Sequence, residues 1–218
     1  MGGIDPGLAL SLRLSGKALR WLFLIAILPG TGCRPGDSPR ASASDLPRID
    51  PARPSLHLLN LADQETNPFQ SADLKWLVFV FISIDCPISN RYAPEIRRLD
   101  AKFSPRGVKF WLIHPNADES AAAIRKHNEE YQYRLDALRD PKHLFVNVTQ
   151  VHVTPEVVVC ERTGRMLYRG RIDNRFADLG KERAAPTVHD LEEALAAILQ
   201  GKLVPQPETK AVGCYIPD

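Results

Sequence analysis

Four cysteines, at positions 33, 86, 160 and 214, are the residues best suited to covalent chemistry in this 218-residue chain. They form no Cys-x-x-Cys pair, and no His/Cys cluster has the spacing of zinc ligands, so we predict no structural zinc site. Cys86 directly precedes Pro87 in the segment SIDCPISNRYAPEI, residues 83–96, where an apolar run changes to a helical pattern. The first turn of a helix offers unpaired N–H groups and the positive end of the helix dipole, which stabilise a thiolate. The sequence therefore predicts a reactive thiol at Cys86.

The elements on either side of Cys86 follow from the apolar pattern. Residues 74–84, LKWLVFVFISI, form a continuous apolar run that is typical of a strand buried on both faces. Residues 87–104 change to intervals of three or four between apolar residues, which indicates a helix. Pro87 suits the first helical turn because its missing N–H would be unpaired there, whereas Pro94 lies deeper and should kink the helix.

The rest of the chain alternates between strand and helix patterns. Strands are predicted within residues 55–64, 107–115 and 134–140, and a hairpin within 154–173 that turns at Arg162-Thr163-Gly164. Helices are predicted within 117–131, 141–152 and 187–201; Thr187 and Asp190 form a near capping box for the last one, and Gly201 ends it. This order predicts an α/β fold with a central mixed β-sheet flanked by helices on both faces.

The N-terminus has the pattern of a secretion signal. Three basic residues precede the apolar run WLFLIAIL, residues 21–28, which is shorter than the roughly 20 residues of a spanning helix. Small residues then lead to Cys33, as in a bacterial lipoprotein signal, in which this cysteine is lipidated. Gly30 departs from that pattern, where Leu is usual, so an ordinary signal peptide or an uncleaved anchor stays an alternative.

The domain plan follows from this signal and from composition. Residues 34–55 are rich in Pro, Ser and Arg and poor in large apolar residues, which predicts a disordered tether. We therefore expect a signal peptide with a lipidation cysteine in 1–33, a tether in 34–55, the folded domain in 56–203, and a C-terminal tail with Cys214 in 204–218. Such a chain would be extracytoplasmic, periplasmic and membrane-anchored, where thiols can cycle through disulfides.

Charge argues against one class of partner. The formal net charge is +2, and basic and acidic residues are interspersed, so no concentrated basic surface for nucleic acid is expected. We expect neither nucleic-acid binding nor a cofactor.

Two proline positions give the chain a specific resemblance. Ala93-Pro94 places a proline eight residues after Cys86, and Thr154-Pro155 directly precedes the apolar strand EVVVC. Over about residues 56–201 this resembles the thioredoxin superfamily, in which a cysteine begins a kinked helix and a cis-proline directly precedes the penultimate strand. The extra helix and strand between residues 117 and 140 resemble the redoxin branch, which includes membrane-anchored thioredoxins and peroxiredoxins.

The resemblance implies a thioredoxin-like fold and a thiol–disulfide oxidoreductase that acts on protein thiols or disulfides. It implies that Cys86 attacks the substrate disulfide and that Thr154 and Pro155 present backbone groups to the substrate. Asp85, Pro87, Ser89 and Pro94 would shape the start of the helix.

The sequence departs from the thioredoxin pattern at three positions. Ser89 replaces the second cysteine, Asp85 stands where Trp is common, and Val80 replaces a buried acid. Without a second thiol in the usual place, Cys214 is the candidate resolving cysteine, with a small buried side chain or an inert tail thiol as the alternative. Cys160 lies inside the apolar strand, so we predict a core position for it.

Two further classes of function stay open. Ser83, three residues before Cys86, is similar to the Thr/Ser-x-x-Cys of peroxiredoxins, although Phe79 stands where they have a proline. A thiol peroxidase is therefore the first alternative. A non-enzymatic copper-binding or scaffold protein is the second, with Cys86, Cys214 and His152 as Cu(I) ligands.

Overall fold

The fold is known from a computed structural model that describes residues 45–53, 56, 58–70 and 74–217. The signal segment, Cys33 and residues 34–44 of the expected tether lie outside the described residues. Among the helices of the described part, none is long and apolar enough to cross a membrane.

Eleven strands and five α-helices are assigned within the described residues. The strands are β1 (Leu58–Asn60), β2 (Glu65–Thr66), β3 (Trp76–Phe81), β4 (Val108–His114), β5 (Asp136–Arg139), β6 (Val153–Thr154), β7 (Glu156–Glu161), β8 (Met166–Gly170), β9 (Phe176–Asp178), β10 (Lys181–Glu182) and β11 (Cys214–Tyr215). The helices are α1 (Pro87–Arg91), α2 (Ala93–Phe103), α3 (Ala121–Glu130), α4 (Leu144–Thr149) and α5 (Asp190–Leu199). Two 3₁₀ turns occupy Pro68–Gln70 and Ser104–Arg106.

Seven strands form one mixed sheet in the order β2-β1-β5-β4-β3-β7-β8. The pairs β3–β4 and β4–β5 are parallel, whereas β3–β7 and β7–β8 are antiparallel. β3 therefore lies inside the sheet, with β4 and β7 as partners on its two sides, and it ends shortly before Cys86. The predicted α/β class and the predicted hairpin are confirmed.

Both faces of the sheet are covered, as the continuous apolar run of β3 predicts. Val78 and Val80 face a core that includes α2 and α5, while Leu77, Phe79 and Phe81 face a second core that includes α4. Successive side chains of a strand point to opposite faces, so a central strand with two covered faces needs apolar residues at every position. The five β3 side chains named here are all 0% exposed.

Part of the expected tether is folded. Ile49 is 0% exposed, Leu46 is buried beside it, and the Ile49 N–H donates to the Gly164 carbonyl at 2.9 Å. The composition of the segment did not predict this contact. Burial of only two apolar residues is enough to hold an otherwise polar segment against the sheet. The packed chain thus begins before residue 56, where the sequence had placed the boundary.

The predicted capping box of the last helix is wrong. α5 begins at Asp190, and its N-cap is His189, which makes no side-chain capping bond. Asp190 instead accepts two hydrogen bonds from Arg171, at 2.7 and 3.1 Å, and Thr187 pairs with Asn174. Tertiary partners have replaced the local cap. Gly201 has a φ of +69° and follows α5, which agrees with its predicted role as a stop.

Gly164→Ala should release the docked segment 45–53. The added Cβ would lie 1.8 Å from the Ile49 carbonyl oxygen at a φ of +81°, whereas Gly180, at a φ of +73°, has nothing within 4 Å of that position. Gly180→Ala should therefore cost about 1 kcal/mol of backbone strain, and Gly164→Ala should cost about 2 kcal/mol more because Ile49 loses its burial. Urea denaturation and hydrogen exchange of the Ile49 amide measure both effects; equal losses in the two variants would contradict the docking.

Candidate active site

Cys86 lies at the N-cap of α1, five residues beyond the end of strand β3. Its side chain is 1% exposed, and its Sγ accepts a hydrogen bond from the Ser89 N–H at 3.4 Å. In the thiol form, Sγ also donates to the Thr154 carbonyl at 3.0 Å. The predicted position of Cys86 at a helix start is confirmed, with one of the helix's first N–H groups directed at the sulfur.

The helix that follows Cys86 is divided in two. α1 ends at Arg91, Tyr92 is both its C-cap and the N-cap of α2, and Pro94 lies in the first turn of α2. The predicted kink is thus a complete interruption, since Pro94 cannot donate the next hydrogen bond of a continuous helix. Pro87 occupies the first turn of α1, as predicted.

Other residues predicted near the helix start differ in burial. Ser89 is 1% exposed, and its hydroxyl accepts from the Ser83 N–H at 3.5 Å, so it fills the space where a second cysteine would lie. Asp85 is exposed. Of these residues, Ser89 is the one whose backbone N–H donates to Cys86 Sγ.

The cis-proline expected at position 155 is present. The Thr154–Pro155 peptide bond is cis, and the Thr154 carbonyl is the one that contacts Cys86. The turn before it is held by Glu156, which is 7% exposed and accepts from the His152 and Val153 N–H groups at 3.0 and 3.4 Å. Sequence analysis had not identified Glu156, whose position in an apolar strand was the available signal.

The C-terminal tail returns to this turn. β11 pairs antiparallel with β6, which places Cys214 opposite Thr154 and Tyr215 opposite Val153. The Ile216 N–H donates to the His152 carbonyl at 3.1 Å. Gly213 passes so close that a Cβ there would lie 2.2 Å from the Thr154 carbonyl oxygen. The tail thereby covers Cys86 and places Cys214 beside it.

A second contact holds the tail further upstream. Thr209 is 8% exposed, and its N–H donates to the Arg169 carbonyl at 3.0 Å. Its hydroxyl lies 2.6 Å from the Tyr168 hydroxyl and accepts from the Arg171 N–H at 3.1 Å. Arg169 also pairs with Glu208. These contacts are separate from the β6–β11 pair, so β11 can leave β6 while the tail stays attached at β8.

The two neighbouring thiols have opposite electrostatic environments. Burial by itself would raise the pKa of Cys86, but hydrogen bonds from Cys214 and Ser89 outweigh it and lower the pKa below its ordinary value. Burial, together with the hydrogen bond and the negative charge of Cys86, raises the pKa of Cys214 to about 12. Of the two thiols, Cys86 is therefore the one that loses its proton more readily. Neither is in a disulfide in this structure.

Cys160 belongs to the core, as predicted. It is 0% exposed within β7, and burial raises the pKa of its thiol. A buried neutral thiol of this kind is inert. Cys160 is thus a matched control for experiments on the other two cysteines.

A buried polar network supports the loop that carries Cys86. Glu119 is 3% exposed; its carboxylate accepts from the Ile84 N–H at 3.0 Å and lies 2.7 Å from His114 Nδ1. Asn116 donates to the same carboxylate and, at 2.9 Å, to the Ser83 hydroxyl. Burial would raise the pKa of Glu119, but the hydrogen bond and charge of His114 outweigh it and lower the pKa.

Glu119 had not been identified from the sequence. It lies within a charged, alanine-rich segment that reads as a surface helix, and only the folded chain brings it behind residues 83–84. Val80 stands where thioredoxins have a buried acid, and in this chain Glu119 supplies a buried carboxylate from a different part of the sequence.

The geometry does not support the hypothesis of a copper site. Among the described residues, the groups of three or more potential metal ligands include neither Cys86 nor Cys214. His152 is exposed, and its backbone, not its ring, contacts the tail.

Comparison with known proteins gives the family and the fold. Among curated proteins, none matches the sequence significantly. An uncharacterized conserved protein from Geobacillus kaustophilus is 24% identical with a TM-score of 0.66, covering 82% of this chain and 91% of its own. A hypothetical protein from Sinorhizobium meliloti is 22% identical with a TM-score of 0.64, covering 73% and 88%. A secreted disulfide oxidoreductase from Mycobacterium tuberculosis is 18% identical with a TM-score of 0.46, covering 66% and 97%.

The family match covers the site itself. The model of the AhpC/TSA family matches residues 52–169, more than half of the chain, and this range includes Cys86 and the Thr154–Pro155 turn. The expected redoxin branch of the thioredoxin superfamily and the expected fold are confirmed. The chain belongs to the AhpC/TSA family.

Proposed function

We propose that the protein is a thiol–disulfide oxidoreductase that uses Cys86 as its nucleophile and Cys214 as its resolving thiol. The observation that carries this proposal is the pairing of β11 with β6, which brings a second thiol to a buried thiolate that has serine in place of its usual partner. A tail thiol without a role would not need a strand pair to hold it at this position.

In the first step, the Cys86 thiolate attacks one sulfur of a substrate disulfide. A bond forms between Cys86 Sγ and that sulfur, the substrate S–S bond breaks, and the other substrate sulfur leaves as a thiolate. The Ser89 N–H stabilises the attacking charge. Pro155 and Thr154 lie at the edge where an extended substrate chain would pair.

In the second step, Cys214 attacks Cys86 Sγ and releases the second substrate thiol. Its proton passes to the departing thiolate. Once Cys86 is in a mixed disulfide, its hydrogen bond and negative charge no longer raise the pKa of Cys214, and only burial still does. The substrate gains two electrons, and the enzyme ends with a Cys86–Cys214 disulfide that an external dithiol must reduce.

Substrate access requires the tail to move. With β11 paired to β6, Cys86 is 1% exposed and the edge beside Pro155 is occupied by the protein's own chain. The β6–β11 pair has only two residues in each strand, so its displacement is a local event. We propose protein disulfides as substrates, since an extended chain can replace β11 by making the same strand contacts.

The location rests on the N-terminal sequence. A signal segment that ends at Cys33, followed by a polar tether, would place the domain at the outer side of a membrane, where disulfide exchange operates. Because the folded chain already begins near Leu46, the tether is shorter than composition suggested.

A thiol peroxidase is the second candidate. The observation that favours it is the near-complete burial of Cys86 under the docked tail, which admits a small oxidant more readily than a protein. The Cys86 thiolate would attack one peroxide oxygen, the O–O bond would break, and the other oxygen would leave as an alcohol or water, with Cys86 oxidised to a sulfenic acid. The Cys214 thiol would then attack the Cys86 sulfur, form the Cys86–Cys214 disulfide and release water. Hydroperoxide-dependent oxidation of Cys86 at a rate above that of free thiols would favour this candidate over the first.

Substitution of each cysteine separates the two roles. Cys86→Ser should abolish reduction of a protein disulfide, while Cys214→Ser should accumulate a mixed disulfide between Cys86 and the substrate because its resolving thiol is gone. Cys160→Ala is the control and should keep activity, since that thiol is buried away from the pair. Turnover assays and mass spectrometry of the trapped species measure this; full activity in Cys86→Ser would exclude the mechanism.

The pKa of Cys86 should depend on residue 214. Cys214→Ala removes a hydrogen bond that lowers this pKa, so the pKa of Cys86 should rise, and Cys214→Ser, which retains a hydroxyl donor, should shift it less. The ultraviolet absorbance of the thiolate against pH, corrected with the corresponding Cys86→Ser proteins, gives the values. An unchanged pKa in Cys214→Ala would mean that the two thiols do not interact.

Gly213→Val should prevent docking of β11, because its Cβ would overlap the Thr154 carbonyl. We expect faster alkylation of Cys86 and slower formation of the Cys86–Cys214 disulfide, both followed by mass spectrometry. Gly201→Ala is the matched control, since nothing lies within 4 Å of its Cβ position. If Gly213→Val forms the disulfide as fast as wild type, the strand pair is not what brings the thiols together.

A further inference from the structure

A group of three potential metal ligands lies outside the cysteine pair. Glu95 of α2, Asp173 after β8 and His189 before α5 each place one ligand atom within 4.8 Å of the others. The three residues come from separate elements, so only the fold brings them together. Nothing in the thiol chemistry uses them.

Two atoms of this group are buried without hydrogen-bond partners in the described part of the chain. They are Asp173 Oδ2, on a residue that is 2% exposed, and His189 Nδ1. Most buried polar atoms in proteins are paired, and an unpaired carboxylate oxygen is among the costliest exceptions. Here an oxygen and a ring nitrogen without partners belong to the same small group.

Within the described residues, the hydrogen bonds that the group does receive leave Asp173 Oδ2 and His189 Nδ1 without a donor or acceptor. Asp173 Oδ1 accepts from the Tyr92 hydroxyl at 2.6 Å and from the Arg175 N–H at 2.8 Å, which fixes the carboxylate and leaves Oδ2 uncommitted. Arg98 donates to both oxygens of Glu95, at 2.8 and 2.7 Å. A carboxylate has about four lone-pair positions, so Glu95 can still bind a cation.

The positive charges near the group are each bound to a carboxylate outside it as well. Arg98 is shared between Glu95 and Glu192, and the Arg175 guanidinium pairs with Glu182. Two carboxylates this close repel one another unless a cation lies between them. A divalent ion would neutralise both and would satisfy Asp173 Oδ2 and His189 Nδ1 together.

We propose that Glu95, Asp173 and His189 form a binding site for a divalent first-row transition metal. One imidazole nitrogen and two carboxylate oxygens suit Zn²⁺ and its neighbours, whereas Mg²⁺ and Ca²⁺ prefer oxygen ligands alone. Three protein ligands leave further positions for water or a small anion.

The bound ion would connect α2, the segment after β8 and the start of α5. It would also fix Asp173, which holds the Tyr92 hydroxyl at the point where α1 and α2 are interrupted. The site therefore clamps the far end of the short helix that begins at Cys86, without contacting the sulfur.

The test is a Zn²⁺ titration of the full chain carrying Cys86→Ser and Cys214→Ser, so that this thiol pair cannot bind the ion. We expect saturable binding of one equivalent and a rise in melting temperature with Zn²⁺. His189→Gln and Glu95→Gln should each weaken binding by more than about a hundredfold, beyond the 10- to 100-fold typical of lost supporting contacts. His152→Gln removes an exposed histidine and should leave binding unchanged.

Cobalt spectroscopy identifies the ligands. Co²⁺ in the same protein should give the weak absorption of nitrogen and oxygen ligation, with no thiolate charge-transfer band. Absence of saturable Zn²⁺ binding, or binding that His189→Gln leaves unchanged, would overturn the site. Glu95→Gln and His189→Gln keep the test decisive if Asp173→Asn does not fold.

Discussion

The pairing of β11 with β6 is the interaction on which the candidate active site depends. It is short, with two residues on each strand, yet it determines which side chain lies beside Cys86. Gly213 makes the approach feasible, since any larger residue would collide with the Thr154 carbonyl. Thr209 and its partners on β8 keep the tail close, so that β11 has a short distance to travel when it leaves and returns.

The same pairing places the two thiols in different electrostatic environments. Cys86 gains a helix N–H and a neighbouring thiol donor, and these outweigh its burial. Cys214 gains burial and the charge of Cys86, and both raise its pKa. Opposite pKa shifts in adjacent groups suit the different roles that we propose for two side chains of the same type.

Support for Cys86 comes from polar groups that would be costly to bury alone. Glu119 and Asn116 bind the loop at Ile84 and Ser83, and His114 binds Glu119. Glu156 binds the turn before Pro155. Each carboxylate accepts backbone N–H groups that would otherwise be unpaired in the interior. On the opposite side, Asp173 accepts a hydrogen bond from the Tyr92 hydroxyl. Among the described residues, Asp173 and His189 each have one buried atom without a partner, which is the basis of the cation site proposed above.

The sequence by itself determined the elements and the position of Cys86. A continuous apolar run predicted a central strand, a helical pattern followed it, and the prolines at 87 and 94 marked a helix start and a kink, because these are local properties of the chain. The cis bond at Pro155 was expected only from the resemblance to the thioredoxin superfamily. Tertiary structure decided what no local pattern contains: that Cys214 meets Cys86, that Ile49 docks into the sheet, that Asp190 pairs with Arg171 and not with a capping partner, and that Glu119 lies behind the active loop. These contacts join residues far apart in sequence, and their energies depend on burial and on partners that exist only once the sheet has formed.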